Sequence, residues 1–166
     1  IATAVLARLS AKQVDINPES AFMAVLLHDI GRLVLVTGFP VQYQAAIHYR
    51  SVHDCSMLDA ERAILSCDHA AVGQALAEYW RFPPAIQMAV AGHHTPDQQW
   101  SGGLTNLVHV ADAIVHALDL CAEENDVVPL LSTAAWSSLS LDQQAVMRVL
   151  HQTEMQFNEM CQILAK

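Results

Sequence analysis

A histidine and an aspartate stand side by side in an apolar run that reads Val25-Leu26-Leu27-His28-Asp29-Ile30-Gly31. Burying an ionised carboxylate is costly unless it is paired or bound to a cation. Adjacent residues on a helix project about 100° apart, yet both can converge on one ion that lies beside the helix between them. Imidazole and carboxylate together suit a divalent transition metal. Taken alone, the dipeptide is better read as a structural histidine and an aspartate bonded to nearby backbone or a basic partner.

The wider pattern reverses that balance. His69 follows Asp68 at the expected start of a helix, and His93-His94 close another. Asp112 lies within Val108-His109-Val110-Ala111-Asp112-Ala113-Ile114, a second acid in an apolar helical run. Two such acids and several helix-end histidines would be well served by one shared polar pocket. Other histidines have plainer readings. His48, His53 and His151 are expected at the surface. His109 and His116, spaced seven apart on the Asp112 helix, are expected to pack rather than ligate. No Ser/His/Asp or Cys/His set with assignable geometry is visible.

Helices must position these residues. Ile1, Val5, Leu6 and Leu9 have helical spacing. Asn17-Pro18-Glu19 supplies an N-cap, a proline at the first helical position and an early acid. The helix it opens is expected from Pro18 to about Val36, apolar nearly all round and therefore central and buried. Gly38-Phe39-Pro40 breaks the chain before a helix over 41–52. Ser56 with Asp59 starts the next, ending near Ser66. Asp68 caps a helix from His69 to Trp80, and Pro84 begins one that reaches about His93. Thr95 to Gly103 reads as a surface loop. Leu104 to Leu118 is helical again, one short helix is expected within 121–138, and Ser140 with Gln143 forms a capping box before a last helix to about Leu164. The fold class is all-α, with no sheet. The expected organisation is a helical core over 1–118 and a C-terminal extension over 119–166 packed on the same domain.

Composition agrees. The chain has 166 residues, 53% of them hydrophobic, with six glycines and six prolines. That length fits one domain able to bury a core without staples. Eight Lys and Arg against 17 Asp and Glu give a net charge of −9, which repels phosphate backbones and argues against generic nucleic-acid binding. The four cysteines show no CxxC spacing, so a reduced, cytoplasmic setting is expected. Apolar stretches such as Ala21 to Leu27 fall short of the ~20 residues of a membrane span. The opening Ile1-Ala2-Thr3, without Met, reads as a trimmed piece or one half of a longer protein.

Four segments, in order, carry a family resemblance. Ala21-Phe22-Met23-Ala24-Val25-Leu26-Leu27-His28-Asp29-Ile30-Gly31-Arg32-Leu33 resembles the segment that defines HD-superfamily proteins. Asp68-His69-Ala70-Ala71-Val72-Gly73 with Trp80-Arg81-Phe82-Pro83, then His93-His94 with Pro96, then Leu107-Val108-His109-Val110-Ala111-Asp112-Ala113, resemble successive elements of the HDOD group. The resemblance covers about residues 1 to 118 and implies a compact multi-helix HD-superfamily domain. It also implies metal-ligand roles for His28, Asp29, His69, His93, His94 and Asp112, around a divalent Fe, Mn, Ni, Zn or Mg ion. Asp29 and Arg32 take the catalytic positions, with Arg32 where related enzymes often place a lysine near the substrate phosphate; Arg serves phosphate well.

Two departures from the pattern matter. The superfamily's first histidine has no counterpart in residues 1–27, and the pattern would place it just upstream of Ile1. The loop after His94 reads Thr95-Pro96-Asp97-Gln98-Gln99-Trp100-Ser101-Gly102-Gly103, without the His-His-Glu and Gly-Tyr-Pro of cyclic-dinucleotide phosphodiesterases of the HD-GYP type, which disfavours that activity. The HDOD resemblance implies a bacterial signal-transduction module whose HD pocket is vestigial or senses a ligand. Its partners would be other signalling proteins or domains and a phosphate-containing small molecule. The alternative is a metal-dependent phosphohydrolase acting on a nucleotide or related phosphate ester.

Overall fold

The computed structural model describes residues 1–96, 102–118, 120 and 128–164. Among them are ten α-helices and no strand, as the helical periodicity requires. The expected loop after His94 falls largely on 97–101, outside the described residues.

Most helix starts are set by local chemistry legible in the sequence. Helix α1 is Ala2–Ala11 and α2 is Pro18–Leu27, whose cap Asn17 accepts the amides of Glu19 and Ser20 at 3.0 and 2.9 Å. Helix α3 is Ile30–Gly38, and α4, Pro40–His53, begins on the proline after Phe39. Ser56 caps α5 (Met57–Leu65) through the Asp59 amide, and Asp68 caps α6 (His69–Tyr79) through that of Ala71. Helix α7 is Pro84–Gly92, α8 is Gly103–Ala117, α9 is Thr133–Ser138 and α10 is Gln143–Leu164. The cap of α10 differs from expectation. Asp142, not Ser140, accepts the Ala145 amide at 2.6 Å, while Ser140 takes a left-handed φ of 50° in the preceding turn.

The expected single helix from Pro18 to Val36 is two helices, broken at His28-Asp29. His28 Nδ1–H donates to the Val25 carbonyl, the acceptor that the Asp29 amide would use in an unbroken helix. The side chain thus satisfies what the break releases, and the chain turns at the two residues that carry the chemistry. Nor is the segment buried all round. Met23, Leu26, Leu33 and Val36 are exposed. The run Pro18–Gly38 is long and apolar enough by length and composition to cross a membrane, although the break at His28-Asp29 divides it.

The main core joins Leu6 and Ala7 of α1, Ala24 and Val25 of α2, Leu107 and Val108 of α8, and Val149 of α10. A smaller cluster, Ala46, Met57 and Ala60, lies between α4 and α5. Helix α3 packs on α6, and α6 on α7. The first of these contacts is very close. A Cβ on Gly31 would meet the His69 carbonyl oxygen at 1.9 Å, and one on Gly73 would meet Val90 Cγ1 at 2.8 Å. Glycine at these two positions lets three helices converge where the polar residues gather.

Candidate metal centre

Four elements deliver the polar side chains. The α2–α3 break supplies His28 and Asp29, the start of α6 supplies His69, the end of α7 supplies His93 and His94, and the middle of α8 supplies Asp112. Asp29, His69, His93 and His94 each place a donor atom so that all four lie within 4.8 Å of one another. His69 Nε2 is 2.8 Å from His94 Nε2, and Asp29 Oδ1 is 3.4 Å from His69 Nε2 and 3.6 Å from His93 Nε2. Donors about 2.0–2.2 Å from a shared zinc stand roughly 3–3.6 Å apart, so the two Asp29 distances match one shared ion, and the closer His69–His94 pair would open slightly to hold it.

The hydrogen-bond inventory fits as well. His93 Nδ1–H donates to the Val90 carbonyl at 2.8 Å, which leaves Nε2 as a lone-pair donor. That nitrogen and Asp29 Oδ1 are both buried and make no hydrogen bond among the described residues. Buried polar atoms without partners are rare, and a cation would satisfy both. The facing nitrogens of His69 and His94, 2.8 Å apart, can share one proton or direct both lone pairs to a cation beside them, but cannot both carry an N–H group.

Asp29 stands at the N-cap position of α3 but makes no side-chain cap bond. Its carboxylate is instead 3.5 Å from His28 Nε2 and 3.4 Å from Arg32 Nε. Burial pushes this carboxyl up, yet His28, His93 and Arg32 hold it well below the usual carboxylate range. His28 and Asp112 stand beside the four-donor group as a pair, His28 Nε2 to Asp112 Oδ1 being 3.5 Å. Burial lowers the His28 pKa, but the carboxylates of Asp29 and Asp112 outweigh it and raise it to about 9. Asp112 is likewise depressed despite its burial, through His116 and His28. Burial and the neighbouring histidines push His94 down to about 2 and His93 below its ordinary value, so both rings are neutral at pH 7.

One site residue escaped the sequence reading. Glu61 of α5 is fully buried, and its Oε2 accepts both the His69 amide at 2.8 Å and His69 Nδ1–H at 2.6 Å. These bonds aim His69 Nε2 at the other donors, as carboxylates do behind metal-bound histidines. A signal was present: Glu61 shares the buried face of α5 with Met57 and Ala60. His109 is also more than packing. It is buried, donates from Nδ1 to the His93 carbonyl at 2.7 Å, and accepts the Ser132 amide at Nε2. His116 donates to the Asp112 carbonyl one turn back. His48, His53 and His151 are exposed.

Beside the cluster opens a cavity of about 540 Å³. Arg32, His94, His109, Asp112 and His116 line its polar side together with Asp54 and Asp59, and Met57, Leu58 and Val128 to Leu130 its apolar side.

Residues 1–96 match the family model of the HDOD domain. The chain belongs to the HDOD family. No curated protein matches it. Two solved structures do. An HDOD domain protein with unknown function from Geobacter sulfurreducens aligns with a TM-score of 0.76 at 20% identity, over 95% of this chain and 58% of that one. A proposed phosphohydrolase from Shewanella amazonensis SB2B aligns with a TM-score of 0.72 at 21% identity, over 95% and 60%. At such identities the likeness establishes the all-α HDOD fold. This HDOD chain spans about three-fifths of the length of each solved relative.

Proposed function

We propose that this HDOD chain is a ligand-sensing module of bacterial signal transduction that holds a divalent cation and reads a phosphate-containing small molecule in the adjoining cavity. The observation that carries this reading is the four-donor group of Asp29, His69, His93 and His94, with two buried donor atoms that make no hydrogen bond among the described residues. Those residues would hold the cation, with His28 and Asp112 beside them. A bound cation supplies Lewis acidity and neutralises phosphate charge. Arg32 lines the cavity and suits a phosphate oxygen in planar, charge-assisted contact. In a chain of net charge −9, the cation and Arg32 together would supply the positive charge that holds a small anion beside Asp54, Asp59 and Asp112, where the wider surface repels a nucleic acid. Other signalling proteins or domains, in the cytoplasm, would respond to the occupied state.

The test begins with metal analysis of protein purified without added metal or an affinity tag, followed by Mn²⁺ and Zn²⁺ titrations of wild type and Asp29→Ala. About one equivalent should bind to wild type, and binding should fall at least tenfold in the variant. A wild type that carries no metal and takes up neither ion overturns the reading.

A phosphohydrolase is the second reading, favoured by a cavity whose volume suits a nucleotide-sized ligand next to the four-donor group. Turnover of a generic phosphodiester with Mn²⁺, lost in Asp29→Ala, would replace the sensor with the enzyme. Phosphate binding without turnover supports the sensor.

A further inference from the structure

We infer that His109 is a positioning residue that couples the metal centre to the wall of the ligand cavity. The coupling rests on the metal-binding reading above. His109 lies on α8 at 3% exposure, outside the four-donor group and on the lining of the cavity. Its two ring nitrogens are committed in opposite directions. Nδ1–H donates to the carbonyl of His93 at 2.7 Å, and Nε2 accepts the backbone N–H of Ser132 at 3.0 Å. A carbonyl demands a protonated nitrogen and an amide demands a lone pair, so the two bonds together fix one neutral tautomer.

Each bond holds a different part of the site. His93 ends α7, and its own ring is pinned by the Val90 carbonyl with Nε2 facing Asp29. Its backbone position therefore sets where a cluster donor stands. Ser132 caps α9 and closes the segment whose Val128, Pro129 and Leu130 line the cavity. Val128 and Leu130 are exposed, Leu130 at 94%, and Pro129 is half-buried, so apolar packing gives the segment little hold. The bond from His109 ties it to α8 and, through one imidazole, to the metal-binding limb. An ion that fixes His93 fixes His109, and with it the anchor of the wall. Linkage makes the effect reciprocal: whatever orders the wall strengthens metal binding.

The two bonds can be cut separately. Asn places an amide N–H near the Nδ1 position and has nothing at Nε2; Gln places a carbonyl near Nε2 and has nothing at Nδ1. Amide hydrogen exchange at Ser132 reads the wall, and Zn²⁺ titration reads the cluster. In wild type, saturating Zn²⁺ should slow Ser132 exchange about fivefold or more. His109→Asn should lose no more than the roughly fivefold in Zn²⁺ affinity that the coupling itself supplies, while Ser132 exchanges fast and ignores the ion. His109→Gln should keep part of the Ser132 protection in metal-free protein, lose about tenfold in Zn²⁺ affinity, and no longer transmit the ion's effect. Equal loss of Zn²⁺ affinity in both variants overturns the assignment. So does wild-type Ser132 exchange that Zn²⁺ leaves unchanged, a measurement that needs no variant to fold. A wild type that takes up no Zn²⁺ sinks the metal reading and the coupling with it. Zn²⁺ uptake without a response at Ser132 sinks the coupling alone.

Discussion

Gly31 and His69 approach so closely that a Cβ on the first would stand 1.9 Å from the carbonyl oxygen of the second. That contact is between backbones, so no side chain can rotate away. Helix α3 would have to withdraw from α6, carrying Asp29 away from His69 as it went. Overpacking a tight site costs typically about 1–3 kcal/mol and occasionally more. Gly31→Ala should fall at or above the top of that range, lowering Tm by roughly 6–12 °C and abolishing Mn²⁺ or Zn²⁺ binding. Gly38 provides the control, since a Cβ there would meet nothing within 4 Å. Gly38→Ala should leave both properties intact or raise Tm slightly. Thermal unfolding and a metal titration of the two variants check the contrast.

How much of this arrangement was legible in the sequence depended on how local its cause was. Asn17, Ser56 and Asp68 bond amides two or three residues away, and such caps are written in short motifs. The convergence of Asp29 with His69 and His93-His94 is not local, and it was readable through the ordered family motifs rather than through periodicity. The break at His28-Asp29 was hidden because hydrophobic residues continue on both sides of it, and because the side chain that stabilises it is itself the site histidine. Glu61 was hidden by its residue type. A glutamate in Met57-Leu58-Asp59-Ala60-Glu61-Arg62 looks like helix surface unless its place beside Met57 and Ala60 is weighed against it.

Glu61 tests whether His69 is oriented for a cation. The carboxylate is fully buried, and it accepts two bonds from the same histidine through Oε2. Glu61→Gln retains shape and one acceptor oxygen, so it should fold while weakening Zn²⁺ or Mn²⁺ binding about 10–100-fold. Glu61→Ala leaves the His69 amide and ring N–H without their partner and should also destabilise the protein by about 1–3 kcal/mol. Isothermal titration and urea unfolding separate the two effects. Metal affinity unchanged in Glu61→Gln would mean that the carboxylate serves the fold alone.

Asp68 fixes the start of the helix that carries the same histidine. It caps α6 through the Ala71 amide and accepts Arg62 Nε at 2.7 Å. Burial raises its pKa, but the amide and Arg62 carry it below the usual value. Asp68→Ala should cost about 1–2 kcal/mol through loss of the cap. Asp68→Ser should recover most of that, since a hydroxyl can still cap, whereas the half-exposed Arg62 contact should add little. Denaturant midpoints of the three proteins decide it.

The His28–Asp112 pair gives the metal-free protein a pH signature. His28 Nδ1–H is committed to the Val25 carbonyl, and Nε2 faces Asp29 and Asp112 oxygens at 3.5 Å each. Burial pulls the imidazole down, and the two carboxylates lift it to about 9 from about 6.5 in the unfolded chain. A group raised on folding stabilises fully below its unfolded pKa and loses that contribution as pH climbs through its folded pKa. Stability in chelator should therefore decline between about pH 6.5 and 9, by at most about 3 kcal/mol for this one group. His94, pushed down to about 2 by burial and the histidines beside it, works with the opposite sign. Its contribution is present above about pH 6.5 and is lost as pH falls. The depressed carboxyls of Asp29 and Asp112 add their loss below about pH 4. Metal-free wild type should thus be most stable near pH 6.5–7. His28→Gln cannot titrate, so its urea midpoint should stay flat from pH 6.5 to 9 while keeping the acid limb. An alkaline decline that survives in His28→Gln would assign that limb to another group and remove the charged pair from the account of the site.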